Sequence, residues 1–382
     1  MKNKKIGFEA KRALHNFRGL GNYSRGVIEG LVEHYPDNEY YLFSPTPKDE
    51  RAKQWLKSLP QLKLVTPGTL GSLSASTWRS VWLGRIAQKY NLDLFHGLSH
   101  ELPPFGLDCP QVVTIHDLIY LRYPEFFPAI DRLVYDRKFK TACHRANKVI
   151  AICDQTKRDL VEFFKLRPTQ IEIAYQSVSA SFYHLLSSAQ VNKCLERYEI
   201  QNPYYFYVGA LEERKNALTL VRAFAEIKEQ TPNDLVIVGE GKDYEQRVRD
   251  LIKELNVGSR VHLLGRARYE DLPALYQGAQ ALCFPSFFEG FGLPIVEALF
   301  SQTPVITSTG SCFPESGGPE SLYVDPHQYL ELAKAMLSLA EDSFKVSQMV
   351  SVGHEYAQRF HNLQTTRRLV EIYQQVMNRN DN

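Results

Sequence analysis

The chain has 382 residues, of which 44% are hydrophobic and 23% charged, with a formal net charge of +2. That is the balance of a globular protein too long for one hydrophobic core, so two domains are expected. It excludes collagen-like and disordered chains, and no apolar run reaches the roughly 18 residues of a membrane span.

The charge is unevenly spread. Residues 1–190 hold 26 Lys+Arg against 18 Asp+Glu, a net +8, and the remainder holds 19 against 25, a net −6. A basic first half suits anions, either a phosphorylated acceptor or the headgroups of an anionic membrane. Ordinary solvated surface is the plainer alternative. Aromatic and basic residues are not interleaved in any nucleic-acid motif, so no nucleic acid is expected as a partner. The opening "MKNKKIGFEAKRALHNF" lacks the apolar centre of a signal peptide and reads as a basic tip entering a strand. The six cysteines form no C-x-x-C pair and no metal-ligand spacing. They read as reduced thiols of a cytoplasmic protein.

In chain order, "KKIGFEA", "EYYLFSP", "DLFHGL", "PQVVTIHDL", "NKVIAIC" and "IEIAYQS" read as buried strands. "SRGVIEGLVEHY" and "RLVYDRKFKTACHRA" lie between them as helices, and Gly19 to Gly26, which opens with "GLGNYS", reads as a loop. The polar stretch "SSAQVNKCLERYEIQNP" reads as a linker. The pattern then restarts with "PYYFYVGAL", "NDLVIVGEG", "RVHLLGR", "AQALCFPS" and "TPVITS". The helices "ALTLVRAFAEIKEQ" and "YEQRVRDLIKELN" separate strands of this second set. Alternating strands and helices predict parallel sheets covered on both faces, and two such series predict two doubly wound α/β domains. The expected division is 1–190, 200–360 and a terminal helical segment, 361–382. Ligands of open α/β sheets bind beyond the carboxyl ends of the strands, so the loops there carry the functional reading, with a cleft between the domains as the expected site.

Two loops stand out. In "YVGALEERKNALTLVRAF" a strand ends at Val208-Gly209, and Arg214 and Lys215 precede Asn216, a predicted N-cap for the next helix. Two cations at the positive end of a helix dipole call for an anion, and a diphosphate fits. Exposure to solvent, or pairing with Glu212 and Glu213, is the alternative. In "SFFEGFGLPIVEAL" a strand ends at Ser286, and Gly290 and Gly292 let backbone approach a ligand. Pro294 suits a first helical turn. Glu289 lies in the loop and Glu297 about one turn inside the helix, so the two acids can flank one bound molecule. Taken alone, Glu297 reads equally as a first-turn acid complementing the dipole.

"FPSFFEGFGLPIVEAL" resembles the E-x7-E signature of retaining nucleotide-sugar glycosyltransferases of the GT-B fold, family 4. "YVGALEERKNALTLVRAF" resembles the family's diphosphate loop. "LVIVGEG", "VHLLGRARYEDLPALYQGAQALCFPS", "TPVITSTGSCFPE" and "SLYVDP" follow the same pattern. "GLGNYSRGV", "DLFHGL" and "VVTIHDLIYLRYPEFF" look like the branch containing bacterial O-antigen mannosyltransferases.

The resemblance implies two facing Rossmann-like domains, the first on the acceptor side and the second binding the nucleotide sugar, with the last helix crossing back to the first domain. It implies that Glu297 binds the ribose hydroxyls and that Glu289 lies near the transferred sugar. Arg214 and Lys215 would stabilise the diphosphate, assisted by amides of Gly290, Phe291, Gly292 and Leu293. The base would lie near Arg266 and Ala267. His116 would contact the donor sugar, a histidine satisfied by Asp117 being the alternative. Gly21 and Asn22 would lie beside the phosphates and acceptor.

The sequence has no D-x-D, so no essential metal or cofactor is expected beyond the nucleotide-sugar donor. The expected reaction moves a hexose, mannose from GDP-mannose, to a glycan or lipid-linked acceptor, from the cytoplasm or the inner membrane surface. The alternatives are a UDP-sugar donor, a nucleotide-sugar epimerase and a non-catalytic sugar-binding protein.

Overall fold

The computed structural model describes residues 1–67, 78 and 82–378. The chain folds as two compact units, Met1–Ser177 with His361–Asn382, and Val178–Phe360. The break therefore falls ahead of the polar stretch read as a linker. That stretch instead holds the helix Ser188–Arg197, whose capping box pairs Ser187 with Gln190.

In the first unit, seven strands form one parallel sheet: β1 (Lys5–Glu9), β2 (Glu39–Phe43), β3 (Leu62–Val65), β4 (Leu94–Gly97), β5 (Gln111–Ile115), β6 (Lys148–Ala151) and β7 (Ile171–Ile173). Their order across the sheet is β3-β2-β1-β4-β5-β6-β7. The second unit carries β8 (Tyr204–Val208), β9 (Asp234–Val238), β10 (Val261–Gly265), β11 (Ala281–Phe284), β12 (Val305–Ser308) and β13 (Leu322–Val324). Their order is β10-β9-β8-β11-β12-β13. Each unit is thus a doubly wound, Rossmann-like α/β domain.

The central strands β5 and β9 are buried at every residue, as continuous apolar runs covered on both faces must be. Helices supply the covers. Ala217–Ile227 turns Leu220, Val221, Phe224 and Ile227 inward, one face at helical spacing. Each such side chain contributes roughly 1.5–3 kcal/mol on burial.

In both sheets the chain winds outward one way and then returns to wind the other way. The reversal lies between β1 and β4 in the first unit and between β8 and β11 in the second. Strand-end loops diverge there and open a crevice for ligands.

The terminal helix Asn362–Asn378 is held in the first unit by polar contacts. Tyr373 Oη lies 2.6 Å from His96 Nδ1, and the other ring nitrogen of His96 lies 2.8 Å from Thr114 Oγ1. Arg368 donates to Glu172 (2.8 Å), which also accepts from Lys148 (2.7 Å). Burial lowers the His96 pKa to about 3, so the imidazole is neutral in this network.

Candidate functional site

The loop after β8 and the loop after β11 meet at the second unit's reversal point. Glu213–Lys215 forms a single 3-10 turn, and the helix Ala217–Ile227 follows it directly. Asn216 occupies the predicted N-cap position but does not cap the helix with its side chain. It adopts the left-handed conformation (φ 58°). Its amide instead donates to Pro285 O (3.0 Å) and Pro326 O (2.7 Å), tying three strand-end loops together. The backbone supports the same join, with Phe287 N donating to Arg214 O at 2.9 Å.

This join brings both cations onto one acid. Lys215 Nζ lies 2.6 Å from Glu289 Oε1, and Arg214 Nη1 lies 2.8 Å from Glu289 Oε2. Arg214 also donates to Phe288 O (2.6 Å) and reaches Glu212 (2.6 Å). The pairing partners weighed from sequence were Glu212 and Glu213. Glu212 is one of them, Glu213 pairs with Arg247, and the partner that both cations share is Glu289, with its side chain 12% exposed. Burial alone would raise the Glu289 pKa, but Arg214 and Lys215 overcome it and bring the carboxyl down to about 2. The group is therefore a fixed anion between two cations.

Glu297 behaves in the opposite way. It lies in the helix Leu293–Phe300 and is buried, and burial raises its pKa to about 7. One hydrogen bond works against that shift, Tyr276 Oη donating to Glu297 Oε2 at 2.8 Å. Gly292 caps this helix at φ 85°, a conformation glycine adopts without strain. Phe291 is buried beside it and stacks edge-on with Phe360. The loop is pinned from the far side, since Ser311 Oγ and Cys312 Sγ both donate to Glu289 O. Arg266 and Ala267 follow β10, where the exposed Arg266 pairs with Glu240 at 2.6 Å.

The first unit holds the remaining sequence-predicted residues. His116 follows β5 and is buried. Its Nε2 lies 3.1 Å from Leu98 O, and a carbonyl only accepts, so Nε2 carries the proton. Burial lowers its pKa to about 4, leaving a neutral ring against Tyr23 (centroids 4.5 Å) and His100 (5.1 Å). Gly21 and Asn22 do not lie in the predicted loop. They occupy the first turn of the helix Gly19–His34. A Cβ on Gly21 would stand 1.7 Å from Asn16 O, so this glycine serves close approach rather than flexibility. Asn22 accepts from Arg25 at 2.6 Å.

The structure thus brings Arg214, Lys215 and Glu289 into one cluster. Tyr276, Asn216 and Ser286, whose Oγ lies 3.3 Å from Glu289 Oε1, are the participants not foreseen. No local sequence signal could have found Tyr276, which stands 21 positions from its partner on another helix.

Comparison with known proteins agrees with this architecture. Residues 196–357 match the family "Glycosyl transferases group 1", and residues 17–182 match "Glycosyltransferase Family 4". The chain belongs to these glycosyltransferases. It is 29% identical to an O-antigen chain mannosyltransferase B of Escherichia coli over 274 residues, covering 70% of each chain. It is 25% identical to a D-inositol 3-phosphate glycosyltransferase of Corynebacterium kroppenstedtii, over 70% of this chain and 62% of that one. Its fold follows Anabaena HepE solved with UDP and glucose, with a TM-score of 0.76 at 21% identity, covering 98% of this chain and 100% of that one. HepE and this chain thus share the GT-B fold.

Proposed function

We propose that this glycosyltransferase moves mannose from GDP-mannose, with retention, onto a glycan or lipid-linked glycan acceptor. The observation that carries the transferase chemistry is the pair of cations, Arg214 and Lys215, held on Glu289 beside the helix that bears Glu297. A diphosphate would compete with Glu289 for those cations at little reorganisation cost, because both are already aimed. The 29% identity to a mannosyltransferase favours mannose.

In this reading Glu297 accepts from the ribose hydroxyls, and the base lies near Arg266 and Ala267. The diphosphate faces Arg214, Lys215 and the backbone of Gly290, Phe291, Gly292 and Leu293. No metal is assigned to it. As the C1–O bond to phosphate breaks, charge grows on the leaving diphosphate, and fixed cations stabilise that charge more than the ground state. The acceptor oxygen bonds C1 on the face the phosphate leaves, and its proton passes to the leaving phosphate oxygen. Neutral His116 offers hydrogen bonding to a sugar hydroxyl, and Gly21 and Asn22 belong to the acceptor side.

A UDP-sugar donor is the second reading, favoured by the likeness to HepE, which was solved with UDP and glucose. Thermal-shift titration separates the two, since a ligand that binds only the folded state raises its stability by mass action. GDP-mannose should raise Tm, and UDP-glucose, UDP-galactose and UDP-N-acetylglucosamine should not. The reverse pattern transfers the assignment to the UDP sugar. No shift with any of the four removes the donor reading. Turnover should persist in EDTA, and proton NMR of the product should show the donor's anomeric configuration.

No helix among the described residues is long and apolar enough to cross a membrane. Peripheral contact with an anionic membrane is assigned to the helix Ala129–Arg145, which exposes Ile130 (77%) and Leu133 (71%) among basic residues.

A further inference from the structure

Glu289 is held from both sides. In the second sheet β11 lies between β8 and β12, and Glu289 lies in the loop that follows β11. Its carboxylate is taken by Arg214 and Lys215, in the loop after β8. Its carbonyl is taken from the other neighbour, the loop after β12. Ser311 Oγ donates to Glu289 O at 3.2 Å, and Cys312 Sγ donates to it at 3.3 Å. A carbonyl oxygen has two lone pairs, so two donors satisfy it. The peptide joining Glu289 to Gly290 is planar and trans, so holding that oxygen also sets the direction of the Gly290 N–H.

The donors are themselves fixed. Cys312 and Phe313 are fully buried, and Phe313 packs edge-on against Phe284 of β11. Ser311 adopts the left-handed conformation (φ 48°), directly after Gly310 at φ 78°. That backbone is unfavourable for a residue with a Cβ and easy for glycine. A turn that needed only this shape would be better served by glycine. What serine adds is the hydroxyl that reaches Glu289 O. Strain of this kind persists where the surroundings over-determine it, and it gathers at functional sites.

We propose that Ser311 and Cys312 are positioning residues for the transfer step, holding the Glu289 backbone so that its carboxylate and the two cations keep one geometry as charge grows on the leaving group. The inference rests on the transferase reading for the role of Glu289. Both residues act through Glu289 and neither is assigned a contact with the donor. Fixed charges stabilise a transition state only while they stay aimed, so loosening them costs rate more than ground-state binding.

The test is steady-state release of nucleoside diphosphate from GDP-mannose, UDP-glucose, UDP-galactose and UDP-N-acetylglucosamine by the full chain and its variants. Ser311→Gly relieves the backbone strain and removes the hydroxyl. Losing one neutral hydrogen bond corresponds to a factor of roughly 2 to 12. The kcat should fall by that factor, with KM for the nucleotide sugar within about twofold of wild type and Tm near the wild-type value. A purely structural serine would give the reverse, a changed Tm with kcat intact. Cys312→Ala should lower kcat in the same way, and Cys312→Ser, which keeps a donor, should recover most of that loss. The double variant Ser311→Gly/Cys312→Ala should lose more than either alone. Wild-type kcat in the double variant, or a loss in Cys312→Ala that Cys312→Ser does not recover, overturns the inference. Glu289→Gln, measured beside them, separates it from the reading beneath. If Glu289→Gln loses kcat and the double variant does not, the positioning role fails and Glu289 keeps its place. If Glu289→Gln turns over like wild type, both fail.

Discussion

Lys215 and Glu289 are joined by a 2.6 Å ion pair at positions 74 residues apart, and Arg214 closes the other carboxylate oxygen. The acid of the glycine loop and the cations of the preceding loop therefore form one unit before any ligand arrives. Removing a charged donor to phosphate costs roughly 1.5–3 kcal/mol, or about 10- to 150-fold in kcat/KM. Lys215→Ala should lose activity by that factor and keep its fold. Activity within twofold of wild type in a steady-state assay would remove Lys215 from the diphosphate site.

Glu289→Gln tests the same cluster from its anionic side. It leaves two cations on one neutral amide, and breaking a buried pair in this way costs roughly 3–5 kcal/mol. The free variant should melt well below wild type. Pyrophosphate or a nucleoside diphosphate should restore more Tm to the variant than it adds to wild type, because its charge replaces the lost carboxylate. Equal shifts in both proteins would show that the cations do not face the diphosphate.

Glu297 predicts a pH dependence. Its folded pKa of about 7 lies above the ordinary value of 4.5, so the folded state favours the protonated acid. That contribution is fully present below pH 4.5 and is lost as pH rises through 7, on the order of 3 kcal/mol in all. Ribose hydroxyls favour the ionised form, so nucleotide binding should release a proton, and affinity should rise between pH 6 and 8. Calorimetry in two buffers of different ionisation enthalpy measures that release. Glu297→Gln should abolish it and flatten the pH slope of Tm.

Tyr276→Phe removes the one hydrogen bond that holds the Glu297 pKa down. The proton released on nucleotide binding should then titrate at higher pH, with affinity at neutral pH weakened by about 0.5–1.5 kcal/mol. A role in packing alone would lower Tm and leave the pH profile of binding in place, so the profile is the deciding measurement.

The central strands were legible because apolar runs bounded by turns admit few other readings, and β1, β5, β8 and β9 all coincide with such runs. The edge strands β3 and β13 were not. Leu62–Val65 is interrupted by Lys63, and Leu322–Val324 has only three residues, so neither carries a buried strand's signature. The acids and cations of the site were legible from residue type and position after a strand. Their mutual pairing was not, because it depends on how two loops meet. Asn216 shows the limit most directly. Its sequence position fits a cap, but the tertiary join of Pro285 and Pro326 claims its amide. The glycines at 19 and 21 suggested a loop, but both lie in a helix, and residue 21 is glycine there because Asn16 O leaves no room for a side chain.

The basic half should bind anionic lipid through one helix. Its N-terminal lysines are partly satisfied within the fold, Lys2 by Asp37 at 3.5 Å and Lys4 by Asp93 at 3.0 Å. The helix Ala129–Arg145 is the better surface, since it exposes Ile130 and Leu133 beside Arg132 and Lys140. Each basic residue near anionic lipid contributes about 1 kcal/mol, so a few give weak, reversible binding. The attraction should fade as the Debye length contracts from about 10 Å at 0.1 M salt to about 3 Å at 1 M. Vesicle co-sedimentation should therefore show binding to anionic but not neutral lipid, weakened by salt, and Leu133→Glu should reduce it by adding a repelled charge and removing an apolar contact. Equal binding to both lipids, or none at low salt, would return the helix to ordinary solvated surface. The proposed donor chemistry would be untouched by that result, because it is assigned to Arg214, Lys215 and Glu289 in the other unit.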